Sequence, residues 1–530
     1  MTLYVNLLLG LPFIGALVSE SMRRLSFLRD YAWTARAISA GLVLVAAWGL
    51  RPLDGAVSPF DWLGASPQTL PIVLSAYLPG AVLIIGWASI HFYHTFILRE
   101  QKSTLEQSLF FAVIFVGMVL AAFASNSVTL LIGLTITDLA FTLNALLRGS
   151  NPRVVMIDFC FNSASVVILL LISAMRTASN ADFYFPYTKL SPALTGLAML
   201  AILLRTGMLP LRNLRDITIN ARRTAGRTAT LILIGHLVNL GVPQIPVWML
   251  TLLLASSAVL LGFGLFTRQR SSMRSSLQAG AFFMACATAA TQQPTLAAMS
   301  GATWLLGIVL VNHPSMTHNL WAHRFTRMIR ALGVLCLIGM PLTIGFPGTF
   351  GLLNTLAGPS LAPITRALLL AIWTMGQTLL IACALRVAAN LSKPNPEQSY
   401  LQTWMLLPDF LAFSVVCVPV LAFGMAPWLL GQRNLPDMLL RTHNLSWLIW
   451  VLALITGIIV WRLERGWQQV LTDIIQFADT RIAALNGRLP WRHNWRLHTL
   501  LPFFWNRVAL LWLGVVSILT WFVIRSAHAW

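Results

Sequence analysis

Charge is what this sequence has least of. Only 10% of its 530 residues are Asp, Glu, Lys or Arg, where a soluble domain carries about 25%. A chain so poor in charge cannot cover a water-facing surface, which excludes a set of soluble domains of this length. Acidic residues are scarcest, 16 against 36 Lys and Arg, giving a formal net charge of +20. On a soluble protein that excess would suggest nucleic-acid binding. Here the basic residues sit in short loops between apolar runs, so no nucleic-acid partner is expected. The five cysteines, Cys160, Cys286, Cys336, Cys383 and Cys417, all lie inside apolar runs and none forms CxxC. They read as small buried apolar residues, which argues against disulfides, Fe–S clusters and Zn–Cys sites. There is no phosphate loop, no GxGxxG after a strand, no metal-ligand cluster and no carboxylate pair in a soluble cleft. No cofactor and no catalytic centre of the chain's own are expected.

What fills the sequence is hydrophobic: 57% of residues, with mean hydropathy +0.75. Apolar runs recur end to end, most of them long enough to cross the roughly 30 Å hydrocarbon layer. They cover 3–18, 37–50, 70–98, 107–124, 128–147, 154–175, 191–211, 228–242, 246–266, 276–290, 296–312, 328–357, 363–390, 405–430, 444–461 and 507–525. The pattern predicts an all-α integral membrane protein of about 14–16 transmembrane helices. The run Leu3 to Val18 lacks a basic n-region and a cleavage site and reads as a retained first helix.

The loops alternate between basic and nearly uncharged. With the N-terminus outside, Arg23, Arg24, Arg29, Arg148, Arg153, Arg222, Arg223, Arg268, Arg270 and Arg324 all fall inside, while Arg51, Arg176, Lys189 and Arg433 fall outside. The whole chain is biased about four to one, as the positive-inside rule requires. This predicts a bacterial inner membrane with the N-terminus outside. From Arg462 to Gly487 apolar residues (Leu463, Trp467, Leu471, Ile474, Ile482) recur at three- and four-residue steps against a polar face, and Pro490 follows. That is an amphipathic helix lying on the membrane surface, either a linker between spans or a strut against a neighbouring subunit.

Polar residues inside the spans are the candidates for chemistry, because charge in hydrocarbon is costly. Arg205 stands shortly before Pro210, which frees a backbone carbonyl and breaks its helix. Asp138 lies midway along its span and needs a partner, for which Arg205 is the natural candidate. The pair either modulates proton binding or pins two helices. Asp158 and Asn162 share one face of the next helix. His236 and Asn239 lie in the run after the Arg-rich loop, and His91 and His94 near an inner helix end. Each histidine is either a proton relay or a helix–helix hydrogen-bond partner. A second break falls at Gly339, Pro341, Gly345, Pro347 and Gly348, five spans after the first. An odd offset reverses the direction of corresponding helices, as two inverted five-helix repeats would.

Taken together, these stretches resemble the antiporter-like, proton-conducting membrane subunits of respiratory complex I, membrane-bound hydrogenases, multisubunit Na⁺/H⁺ antiporters and inorganic-carbon uptake modules. Asn126 through Leu147 is similar to the family's polar-start helix with a central Glu. RTGMLPLRNLRD, Arg205 to Asp216, is similar to its Lys-x-x-x-x-Pro-x-His stretch. Gln278 and Gly280 fit its Ser-x-Gln-x-Gly, and GMPLTIGFPGTF fits its second broken helix. The resemblance covers about 70–430. It implies N-terminal spans over 1–106, repeats over 107–242 and 246–390, further spans over 391–461, and the surface helix with a last span over 462–530. By the same likeness the family's Glu falls on Thr135, with Asp138 a turn later as a substitute, and its broken-helix Lys becomes Arg205. Its next Lys or His becomes Asn239 or His236, its central Lys falls near Trp304, and its second broken-helix Lys or Glu falls on Thr349. The resemblance implies a proton- or cation-translocating subunit of a multisubunit energy-coupling complex resembling NADH–quinone oxidoreductase or a cation antiporter. It implies as partners other membrane subunits, antiporter-like paralogues, and redox or soluble subunits. The thinned set of titratable groups leaves a non-conducting scaffold of the same complex as the alternative.

Overall fold

The computed structural model describes residues 2–49, 56–57, 74–75, 78–97, 105–147, 149, 152–178, 190–207, 220–242, 245–266, 270–291, 293–313, 320–358, 361–389, 406–426 and 444–463. Pro210, the amphipathic segment beyond Leu463 and the last apolar run all lie outside the described residues.

Each apolar run that falls on described residues contains a helix. In chain order they are α1 (Thr2–Arg24), α2 (Ala32–Gly49), α3 (Leu78–Ile97), α4 (Leu105–Ala122), α5 (Ser127–Leu147), α6 (Pro152–Ala178), α7 (Pro192–Arg205) and α8 (Asn220–Gly235). After them come α9 (Val247–Phe266), α10 (Arg270–Ala289), α11 (Pro294–Val311), α12 (Leu320–Ile338), α13 (Gly345–Ala357), α14 (Pro363–Ala389), α15 (Leu406–Met425) and α16 (Asn444–Leu463). Seven of the described helices are individually long and apolar enough to cross a membrane. The chain is an all-α integral membrane protein. One departure precedes α3: β1 (Ala56–Val57) and β2 (Leu74–Ser75) pair antiparallel, Ala56 opposite Ser75, so the run predicted from residue 70 turns helical only at Leu78.

Local chemistry sets the helix ends. The Asn126 side chain accepts from the Thr129 amide at 2.8 Å and starts α5, and Ser191 with Pro192 starts α7. Helix α7 stops at Arg205, followed by Gly207 at φ 68°. The run 328–357 is two helices, α12 and α13. Between them Gly339 has φ 76° and Leu342, a branched residue held in the left-handed region, φ 72°. A Cβ on Gly345 would lie 1.9 Å from the Cys336 carbonyl oxygen, so only glycine lets the two halves approach.

Helix α11 lies at the centre, packed against α3, α8, α10, α12 and α13 and buried almost all round. Around it, helices meet through small residues, the usual device where lipid supplies no hydrophobic drive. A Cβ on Gly133 of α5 would lie 2.5 Å from the Ala121 amide nitrogen of α4. Outward faces carry exposed apolar residues, among them Leu139 and Leu143 of α5 and Val167 and Leu170 of α6.

Candidate functional site

Asp138 projects from the middle of α5 into the protein, with Arg205 arriving from the C-terminal end of α7. The Arg205 Nη2 donates to Asp138 Oδ1 at 2.8 Å, and the two residues are 6% and 3% exposed. A carboxylate at this depth would otherwise be an uncompensated charge. Asn162 of α6 donates from Nδ2 to the same Oδ1 at 3.4 Å. The C-terminal carbonyl end of α7 favours the cation, and the Thr230 hydroxyl of α8 reaches both the Arg205 carbonyl oxygen at 3.3 Å and that of Gly226 at 2.9 Å, donating to one or the other. Four helices therefore converge on one ion pair. The pair is not saturated: Asp138 Oδ2 and Arg205 Nε and Nη1 are buried without a hydrogen-bond partner. Thr135, the ungapped match to the family's Glu, is elsewhere. It is exposed on the outer face of α5, with its hydroxyl donating to the Leu131 carbonyl at 2.8 Å. A three-residue step is enough to carry Thr135 out of the interior while Asp138 stays in it. Asp158 is half-buried on α6, one turn before Asn162.

His236 follows the last residue of α8, in a turn closed by Gly241 at φ 79°, so the run 228–242 is helical only to Gly235. Asn239 Nδ2 donates to His236 Nδ1 at 3.1 Å, and His236 Nε2 lies 3.0 Å from the Ala121 carbonyl oxygen at the end of α4. An amide donating to Nδ1 places the ring hydrogen on Nε2, where it donates to Ala121. His236 also borders a small cavity of about 10 Å³ with otherwise apolar walls, including Leu83, Leu231 and Ala297. That is room for about one water.

Helices α10 to α14 enclose a second cavity, with no charged residue on its wall. Trp304 of α11 is buried, its indole N–H donating to the Gln278 carbonyl at 3.0 Å and its ring packed on Phe282 at 5.4 Å. Thr349 of α13 lies against Gly339, where a Cβ would come within 2.3 Å of its hydroxyl. Both line a cavity of about 40 Å³ with Thr288, Ser300, Thr303 and Gln377, bordered by Gly345 and Gly348 of the second break. Gln377 Nε2 and the Trp450 indole both donate to the Ile338 carbonyl that the break frees, at 3.0 and 3.1 Å. Gln377 was missed in the sequence, although an amide in the run 363–390 stands out once any polar side chain there is counted.

Towards the C-terminal end of α3, His91 stacks on Phe111 of α4 at 4.1 Å, and His94 sits edge-on to Tyr93. Tyr93 is hydrogen-bonded through its hydroxyl to His313 Nδ1, and Arg330 of α12 donates twice to the His313 carbonyl, at 2.9 and 2.7 Å. The Tyr93–His313–Arg330 group was not legible in the sequence, since its members are up to 237 residues apart, from Tyr93 to Arg330. Groups of three or more His, Cys, Asp or Glu able to hold a metal are absent among the described residues.

No protein-family model matches the chain, and no curated protein matches it in sequence. Solved structures do. A chain of the Mrp complex from Dietzia sp. DQ12-45-1b superposes with TM-score 0.65 at 16% identity, over 97% of this chain and 63% of that one. This chain therefore spans less than two thirds of that relative. A chain of the membrane-bound sulfane sulfur reductase, an archaeal respiratory membrane complex, gives 0.60 at 13% identity over 98% and 100%. One from respiratory complex I of Thermus thermophilus gives 0.53 at 15% identity over 81% and 99%. At these identities the likeness is one of fold, which this chain shares with a chain of each of these three complexes.

Proposed function

We propose that the chain is a proton-translocating membrane subunit of a multisubunit energy-coupling complex, with Asp138 as the group that takes up and releases the proton. The observation that carries this reading is the buried Asp138–Arg205 pair at 2.8 Å, set beside a helix end and left with unsatisfied atoms on both members. A guanidinium keeps its proton at any physiological pH. Arg205 is therefore a fixed charge that biases Asp138, and Asp138 is the member that can titrate. Asn162 steadies Oδ1 while Oδ2 stays open to water or to the incoming proton. His236 can pass a proton through its ring only if Nδ1 exchanges the Asn239 amide for a proton donor. Its partners would be the other membrane subunits of the complex, and the two breaks belong to repeats over 107–242 and 246–390.

A second reading, a scaffold that conducts nothing, is favoured by one observation: the second-repeat positions Trp304 and Thr349 are neutral and do not titrate at physiological pH. Replacing Asp138 by Asn separates the two. Asn keeps the shape and an acceptor for Arg205 but cannot release a proton. In vesicles containing the assembled complex, coupled proton movement should then fall by about a hundredfold, the scale of a lost acid–base group. If the complex assembles and its proton movement is unchanged, conduction through Asp138 is ruled out and the scaffold reading stands.

A further inference from the structure

Helices α1 and α2 are both long and apolar enough to span, so the turn that joins them comes to the bilayer surface whichever way the chain is oriented. A turn in water is ordinarily polar. This one is not: Phe27 is 72% exposed, Tyr31 61% and Leu25 47%. Exposed arginines alternate with them. Arg24 precedes Leu25, its side chain 77% exposed, and Arg29 stands exposed between Phe27 and Tyr31. The acids at hand are Glu20 and Asp30. Glu20 is shared by Arg23 at 3.5 Å and Arg24 at 3.7 Å. A fourth arginine, Arg36 near the start of α2, lies within electrostatic reach of Arg23. Between residues 20 and 36, four arginines thus stand against two acids. Like charges gathered at the end of a helix pair are stabilised by an anion from outside the chain.

We propose that the α1–α2 turn is a binding site for the headgroup of an anionic phospholipid. Arg24 and Arg29 reach its phosphate, while Leu25, Phe27 and Tyr31 enter the boundary between headgroups and acyl chains. Three features select a lipid over a soluble protein. Aromatic side chains with cationic neighbours settle at that depth of a bilayer. The exposed apolar surface does not stop at the turn but runs on along the outward faces of both helices, through Leu17 and Val18 of α1 and Ile38 and Leu42 of α2. Acyl chains can follow that track from the same place, whereas a soluble protein would cover the turn alone. The excess charge is positive, so it attracts an anionic headgroup and gains little from a zwitterionic one. Neither α1 nor α2 contributes to the Asp138–Arg205 pair, and the site does not depend on whether Asp138 moves protons.

The test is titration of the purified full-length chain, in an uncharged detergent, with phosphatidylglycerol and separately with phosphatidylcholine, reading lipid retained and melting temperature. Phosphatidylglycerol should bind at least about tenfold tighter and raise the melting temperature. Arg24→Gln with Arg29→Gln should weaken its binding about thirtyfold, roughly fivefold for each arginine near the surface, and leave phosphatidylcholine unchanged. Leu25→Ser with Phe27→Ser should weaken both lipids alike. All four side chains are exposed, so these variants should fold normally, which melting without added lipid checks. Equal binding of the two lipids, or unchanged phosphatidylglycerol binding in the arginine variant, overturns the site. So does full displacement of the lipid by inorganic phosphate, which would make it a site for a free anion. Loss of a soluble subunit from the assembled complex in the Leu25→Ser/Phe27→Ser variant, with lipid binding intact, would overturn it in favour of protein docking.

Discussion

An aspartate and an arginine in hydrocarbon are tolerable only together. Breaking such a pair strands the survivor, at a cost of about 3–5 kcal/mol, whereas replacing both by apolar groups is often close to neutral. Asp138→Leu alone should therefore lower the melting temperature of the purified chain markedly, because Arg205, 6% exposed, loses the acceptor at 2.8 Å. Asp138→Leu combined with Arg205→Met should recover much of the loss, giving a coupling of about 1–3 kcal/mol in a double-mutant cycle of thermal unfolding. Simple additivity would mean that the contact contributes nothing. This pairing was legible in the sequence because intramembrane charges are rare and must be matched. What the sequence hid was direction. Thr135 and Asp138 lie three residues apart and read as one face, yet one hydroxyl sits at the outer surface and the carboxylate inside.

At the level of elements, the two breaks and the close helix contacts depend on glycine at a few positions. At Gly345 an added methyl would stand 1.9 Å from a backbone carbonyl, and backbone cannot yield as a flexible side chain can. Gly345→Ala should therefore separate α12 from α13 and cost at least about 1–3 kcal/mol, the range for overpacking a dense interior. Gly10 in α1 has nothing within 4 Å of an added Cβ. Gly10→Ala should be neutral or stabilising by up to about 1 kcal/mol, from helix propensity alone. Thermal unfolding of the two variants side by side checks both, and equal behaviour would show that the packing at the break is loose. The second break was readable from its clustered Gly and Pro. The end of α8 was not. Its run is largely apolar to Val242, and the turn after Gly235 is held by Gly241 at φ 79° and by the Asn239–His236–Ala121 chain of hydrogen bonds, which joins it to α4.

Over the whole molecule, charge placement and the order of helices turn orientation into a prediction that can be tested. The apolar runs gave nearly every described helix, because a span must satisfy its own backbone and little else competes with helix in lipid. The same economy makes direction in the membrane a matter of counting. If α4 to α8 and α9 to α14 are inverted repeats, their first helices must start on opposite faces. The connection before α4 carries Arg99 and Lys102, whereas the connection before α9, residues 243–246, carries no charge. By the positive-inside rule the first starts inside and the second outside. A reporter active only in the cytoplasm should therefore work when inserted at 99–104 and fail at 243–246, and one active only outside should do the reverse. The basic connection at 267–269 should again read as inside. If both repeats start on the same face, they are parallel rather than inverted. The cavity beside Trp304 would then no longer be the mirrored counterpart of the Asp138–Arg205 pair, although its lining would be unchanged.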